Sequence, residues 1–156
     1  VDFRDALNNV IAELTPQPWD WTDHAGTTLR VIPAGLREDP GCAEVLIRIT
    51  RPDASGLYEF GITGPDSRGV AEVGVTTAAL PALIQALNER TWWADTALPA
   101  GALLVAVGTG GVLVGVTEVH GPGQQVTVDV VLPEAQRLPL ASALQRALDV
   151  ARGWEG

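Results

Sequence analysis

Hydrophobic positions along this chain switch between helical and strand periods, and the switches divide it into elements. Phe3, Leu7, Val10, Ile11 and Leu14 recur at helical spacing and predict an amphipathic helix. Asp2 caps it, Asp5 lies in its first turn, and Thr15-Pro16 ends it, because proline lacks a donor and restricts the residue before it. Strand runs follow over 28–33, 43–50, 57–63 and 70–76. In the second, Val45, Ile47 and Ile49 alternate with Glu44, Leu46 and Arg48, the pattern of a half-buried strand. In the third, Tyr58, Phe60 and Ile62 make a better inward set than Leu57 with Glu59 and Gly61. The stretches 51–56 and 64–69 are turns by composition, each opening near a proline and closing on glycine. Residues 79–89 form a second helix striped by Leu80, Leu83, Ile84 and Leu87, with Pro81 tolerated in the first turn.

The apolar runs 102–107, 112–119 and 126–132 predict three more strands. Thr109-Gly110-Gly111 joins the first two as a hairpin, and His120-Gly121-Pro122-Gly123 turns the chain into the third. A last helix over 136–152 carries Leu140, Leu144, Leu148 and Ala151 on one face, which covers the meander, and Gly153 breaks it. The fold class is therefore α+β: antiparallel sheet or sheets of about seven strands with three helices, in the order α-ββββ-α-βββ-α, as a single domain over residues 1–156. The succession Gly-Pro, strand, Leu-Pro and leucine helix occurs twice, which suggests pseudo-repeats over 27–91 and 101–153 with their helices side by side.

Charge narrows the picture. The 156 residues carry a net charge of −9, and all ten cations are arginines. An acidic surface repels phosphate, so no nucleic-acid partner is expected. The apolar stretch from Ala97 to Val119 is interrupted by Pro99 and by glycines, and reads as two short strands. No membrane association is expected, and Val1 to Asp5 begins a helix in place of a secretory leader. With Cys42 as the one cysteine, no internal disulfide forms, and a cytoplasmic location is expected.

Candidate chemistry is sparse. Cys42 stands among Glu38, Asp39 and Glu44, which oppose thiolate formation. His24 with Asp20 and Asp23 is a local set of metal-ligand types that lacks a fourth member, and His120 reads as a turn residue. Glu59 with Glu72, and Glu118 with Asp129, are carboxylate pairs across neighbouring strands, by default solvated surface charge. Gly108, Gly110, Gly111 and Gly115 build no phosphate loop, since no lysine follows and no helix opens there. No catalytic residue, cofactor or metal site is expected.

The surface is more informative. Trp92 and Trp93 are adjacent, so on a regular element one points inward and the other is available. Trp154 follows the last helix, and Trp19 and Trp21 sit in a polar stretch, either anchoring it to the core or displayed to a partner. No charge occurs between Asp95 and Glu118, so those strands are central in a sheet or lie under a partner. The order helix, strands, helix, strands, helix in a small acidic chain resembles the type III secretion chaperone-like fold, which implies an acidic dimer that holds extended segments of other proteins. The expectation is a non-enzymatic protein-interaction domain, chaperone-like or regulatory and homodimeric, with Trp92, Trp93, Trp154, Trp19 and Trp21 as interface residues. One alternative is a small enzyme or ligand-binding domain with its pocket between sheet and helices, lined by Trp19, Trp21, His24 and Glu59. A structural subunit of a larger assembly is another.

Overall fold

The computed structural model describes residues 18–35, 43–52, 69–98 and 101–155. The expected helix over Phe3–Leu14, the strand over 57–63, Cys42 and Glu59 lie outside the described residues.

Alternation builds the first sheet. β1 (Trp19–Thr22), β2 (Thr28–Gly35), β3 (Ala43–Thr50) and β4 (Val70–Thr76) pair antiparallel in chain order. Leu29, Val31, Val45, Ile47, Ile49, Val73 and Val75 are buried on one face, while their neighbours point the other way. α1 (Leu80–Asn88) follows, entering through Pro81 in its first turn. The second sheet repeats the plan with β5 (Trp92–Leu98), β6 (Gly101–Val107), β7 (Gly111–Gly121) and β8 (Gln124–Pro133). A short 3-10 turn (Glu134–Gln136) leads into α2 (Arg137–Trp154). The fold is α+β, two four-stranded antiparallel sheets with helices, in a duplicated ββββ-α architecture.

β1 and β5 were not among the expected strands. β1 is only four residues long, and β5 follows its two tryptophans with Ala94-Asp95-Thr96, so neither shows a long apolar alternation. β1 has two inward tryptophans separated by Asp20, and β5 opens on Trp92-Trp93. Each half consequently begins one strand earlier than the pseudo-repeat boundaries at 27 and 101, at Trp19 and Trp92. Gly153 does not end the last helix, which continues to Trp154.

The helices do not sit where chain order suggests. α2 packs against β2 and β3 of the first sheet, and α1 packs against β5 and β6 of the second. The two helices also pack on each other, and β4 contacts all four strands of the second sheet. A single hydrophobic cluster runs through both sheets and both helices. Leu140, Leu144 and Leu148 of α2 are buried in it, each stabilising the fold by about 1.5–3 kcal/mol.

One polar clamp fixes this exchange. Arg137 is a buried charged residue, 7% exposed, at the start of α2. Its Nη1 donates to the Leu87 carbonyl at 2.8 Å, satisfying an acceptor that the end of α1 leaves open. Its Nε donates to Glu134 Oε1 at 2.9 Å, and Arg90 reaches the same oxygen at 2.6 Å. Arg90 has φ of 60°, a left-handed residue just past α1. The Arg137 hydrogen bond, aided by both guanidinium charges, holds the Glu134 carboxyl below its ordinary range.

Replacing Arg137 by Met leaves the buried Leu87 carbonyl without a donor, and urea unfolding is expected to show a loss of about 1–3 kcal/mol. Because the folded Glu134 carboxyl is more acidic than the unfolded one, its stabilisation is present above the ordinary carboxylate range and fades as pH falls through it. The gap between wild type and Arg137→Met therefore narrows in acid.

Candidate functional site

Each sheet turns one face away from the core, and the two faces differ in chemistry. On the first sheet, Asp20, Arg30, Arg48 and Glu72 stand opposite one another across β1 to β4. Arg30 donates from Nε and Nη2 to the two Asp20 oxygens at 2.7 and 2.9 Å. Arg48 Nε and Nη2 reach Glu72 Oε1 at 3.0 and 2.8 Å. The row is neutral as a whole. Beside it, burial first and Glu72 second raise the Glu44 carboxyl above its ordinary pKa.

The outward face of the second sheet is almost uncharged. Trp92, Ala106, Leu113 and Val131 form one row across β5 to β8, a span of about 14 Å at normal strand spacing. The next row is Ala94, Leu104, Gly115 and Asp129. Ala102, Thr117 and Thr127 follow, with the two threonine hydroxyls 2.9 Å apart. Trp92 is 70% exposed and Val131 61%, so these apolar side chains face solvent. Asp129 is the one charged side chain in the three rows.

Where β8 and β1 present their open edges, a cleft of about 610 Å³ is lined by Trp21, Thr22, Asp23, His24, Asp129, Val130, Val131 and Pro133. Open edges carry backbone donors and acceptors that no strand has paired. Asp23 shapes the rim: its Oδ1 accepts from the Ala25 and Thr27 amides, each at 2.9 Å. Gly26 closes that turn at φ of +91°, a conformation glycine takes without steric cost. The cleft lies between sheet edges, not between sheet and helices.

The five tryptophans take different positions. Trp92 is exposed at the start of β5, whereas Trp93 points inward and packs on the core. Trp154 is 45% exposed in the last turn of α2. Trp19 and Trp21 are partly buried against the core, and of the two Trp21 lines the cleft. Among the other candidates, Asp20 is bound to Arg30, away from His24, and among the described residues no three metal-ligand side chains gather. Glu118 and Asp129 stand on opposite faces: Glu118 faces Val126 in register, and Asp129 faces Gly115. Glu118 instead accepts from the Glu72 amide at 2.8 Å, covering the open edge of β4, and lies 3.3 Å from His120. Sequence reasoning did not single out Leu104, Leu113, Gly115 and Val131 as a surface. For Leu104, Leu113 and Gly115 the signal was the uncharged stretch between Asp95 and Glu118, where β6 and β7 alternate between the two faces; Val131 lies beyond it.

No family model matches the sequence, and no curated protein does. Solved structures do share the fold. WHY1 from Arabidopsis thaliana superimposes with a TM-score of 0.60, covering 91% of this chain and 94% of that one at 13% identity. MRP1/MRP2 from Trypanosoma bruciei gives a TM-score of 0.53, covering 89% of this chain and 96% of that one at 16% identity. At such identities the likeness is one of fold. The first is a Whirly protein, which binds single-stranded DNA, and the second binds RNA. These neighbours overturn the expected chaperone-like protein-interaction domain and the exclusion of nucleic acid. The exclusion rested on net charge, which bears on phosphate contacts and says nothing about an apolar sheet face on which bases can stack.

Glu44 supplies a test of the first sheet's charged face. Its raised folded pKa makes ionisation costlier in the folded state, so it lowers stability as pH rises through the carboxylate range. Glu44→Gln is expected to melt at or above the wild-type temperature at pH 7, and the advantage is expected to vanish near pH 4, about the ordinary carboxylate range.

Proposed function

We propose that this protein binds single-stranded nucleic acid on the outward face of its second sheet and in the adjoining cleft. The observation that carries this reading is the exposed, nearly uncharged row from Trp92 to Val131 on a fold shared with WHY1 and MRP1/MRP2. Bases offer flat apolar faces, and an indole at a sheet edge with aliphatic side chains behind it is a stacking platform. Single strands suit it because their bases are already free to leave the stack. The open edges of β1 and β8 add backbone hydrogen-bonding groups along the cleft.

With a net charge of −9 and its sheet arginines paired to acids, the protein gains little from phosphate contacts. Binding that depends on stacking has a distinct signature. Affinity for single-stranded oligonucleotides, followed by tryptophan fluorescence, is expected to fall only shallowly with salt, with a log–log slope smaller in magnitude than about 2. Trp92→Ala is expected to weaken binding about 5- to 150-fold, the equivalent of roughly 1–3 kcal/mol for one stacked base, with the fold intact. Trp154→Ala, on α2 and outside these rows, is the control. Unchanged affinity in Trp92→Ala would remove this face from the proposal.

A further inference from the structure

Gly115 occupies the middle of β7 on the outward face of the second sheet, and nothing around it requires glycine. Its backbone is not left-handed, and a Cβ built there meets only the Cβ of Asp129, at an ordinary 3.9 Å. Gly101 and Gly111 differ, since a Cβ at those positions would run into the carbonyl oxygens of Thr117 and Leu132. Glycine weakens a strand interior and often marks a bulge, a bend or a site of close approach by a ligand or another backbone; at Gly115 the register runs through without a bulge. The gap at Gly115 is bounded along β7 by Leu113 and Thr117, and across the sheet by Leu104 and Asp129. It is a shallow depression with apolar sides and one carboxylate at its edge.

Asp129 is exposed, lines the cleft as well, and among the described residues takes part in no hydrogen bond or ion pair. An ionised carboxylate only accepts, and its two oxygens match a pair of parallel N–H donors, as in arginine pairs. Guanine has such a pair on one edge, at N1–H and the N2 amino group. Adenine and cytosine place a ring acceptor beside their amino group, and that nitrogen would face the second oxygen. Thymine and uracil flank their N3–H with two carbonyls. The same carboxylate repels phosphate, so a strand crossing here turns its base inward and its backbone outward.

We propose that the gap at Gly115 and the carboxylate of Asp129 form a base-reading position that prefers guanine; this rests on the nucleic-acid reading above. The test measures fluorescence anisotropy of the full chain at one salt concentration with four single-stranded probes: alternating G and T, alternating inosine and T, alternating A and T, and T alone. Inosine keeps N1–H and lacks the N2 amino group. Wild type is expected to bind the guanine probe about tenfold tighter than the inosine probe, within the range of one bidentate base contact. Asp129→Asn is expected to bring the ratio of guanine-probe to inosine-probe affinity to about one. Gly115→Val, which fills the gap with a good strand former, is expected to do the same, with an unchanged melting temperature showing that the fold survives. Equal wild-type affinity for all four probes, or a guanine preference that persists in Asp129→Asn, overturns the inference while the nucleic-acid reading stands. Failure to bind any probe overturns both.

Discussion

The architecture depends on an exchange of helices between its two halves. Each ββββ-α unit makes a sheet with one apolar face, and a sheet of that kind must be covered. Here α2 covers β2 and β3 while α1 lies against β5 and β6, so each helix covers strands of the other half. Neither half buries its own core alone, which is why one hydrophobic cluster passes through both. Arg137 ties the two helices together: its buried guanidinium at the start of α2 is bonded to the Leu87 carbonyl of α1 and to Glu134.

Covering the inner faces in this way releases the outer ones. The first sheet closes its outward face with the row Asp20–Arg30–Arg48–Glu72, in which each arginine is bound to an acid on the neighbouring edge strand. The second sheet leaves its outward face open and apolar, with Trp92 at one edge and Asp129 on the other edge strand. Net charge averages over both faces and describes neither. The global count of −9 argued against nucleic acid, but the second sheet's outward face presents exposed apolar side chains and, in its three rows, a single carboxylate.

The uncharged stretch between Asp95 and Glu118 shows how much of the site was legible. Its composition announced either a buried strand or a covered one, and in the fold it is half of each. Leu103, Val105, Val112, Val114 and Val116 are buried, while Leu104, Leu113 and Gly115 face outward. Alternation without a polar partner leaves the two faces indistinguishable in sequence, because hydrophobicity is the only label that tells inside from outside. Trp92-Trp93 posed a milder version of that ambiguity, and the register with β6 resolved it by placing Trp93 beside Val105.

The local order of the chain was written in the sequence. The alternation of β3, the leucine stripes of α1 and α2, the glycine turns and the repeated strand-to-helix succession all arise from contacts within a few residues, so their periods survive in the linear text. What tertiary structure alone decided was which sheet each helix covers, that Trp19–Thr22 and Trp92–Leu98 become edge strands, and that Asp129 comes beside Gly115 at the mouth of the cleft. Those relations join residues far apart along the chain. They are selected by the requirement that two one-faced sheets and two helices bury their apolar surfaces together, and no local pattern encodes that requirement.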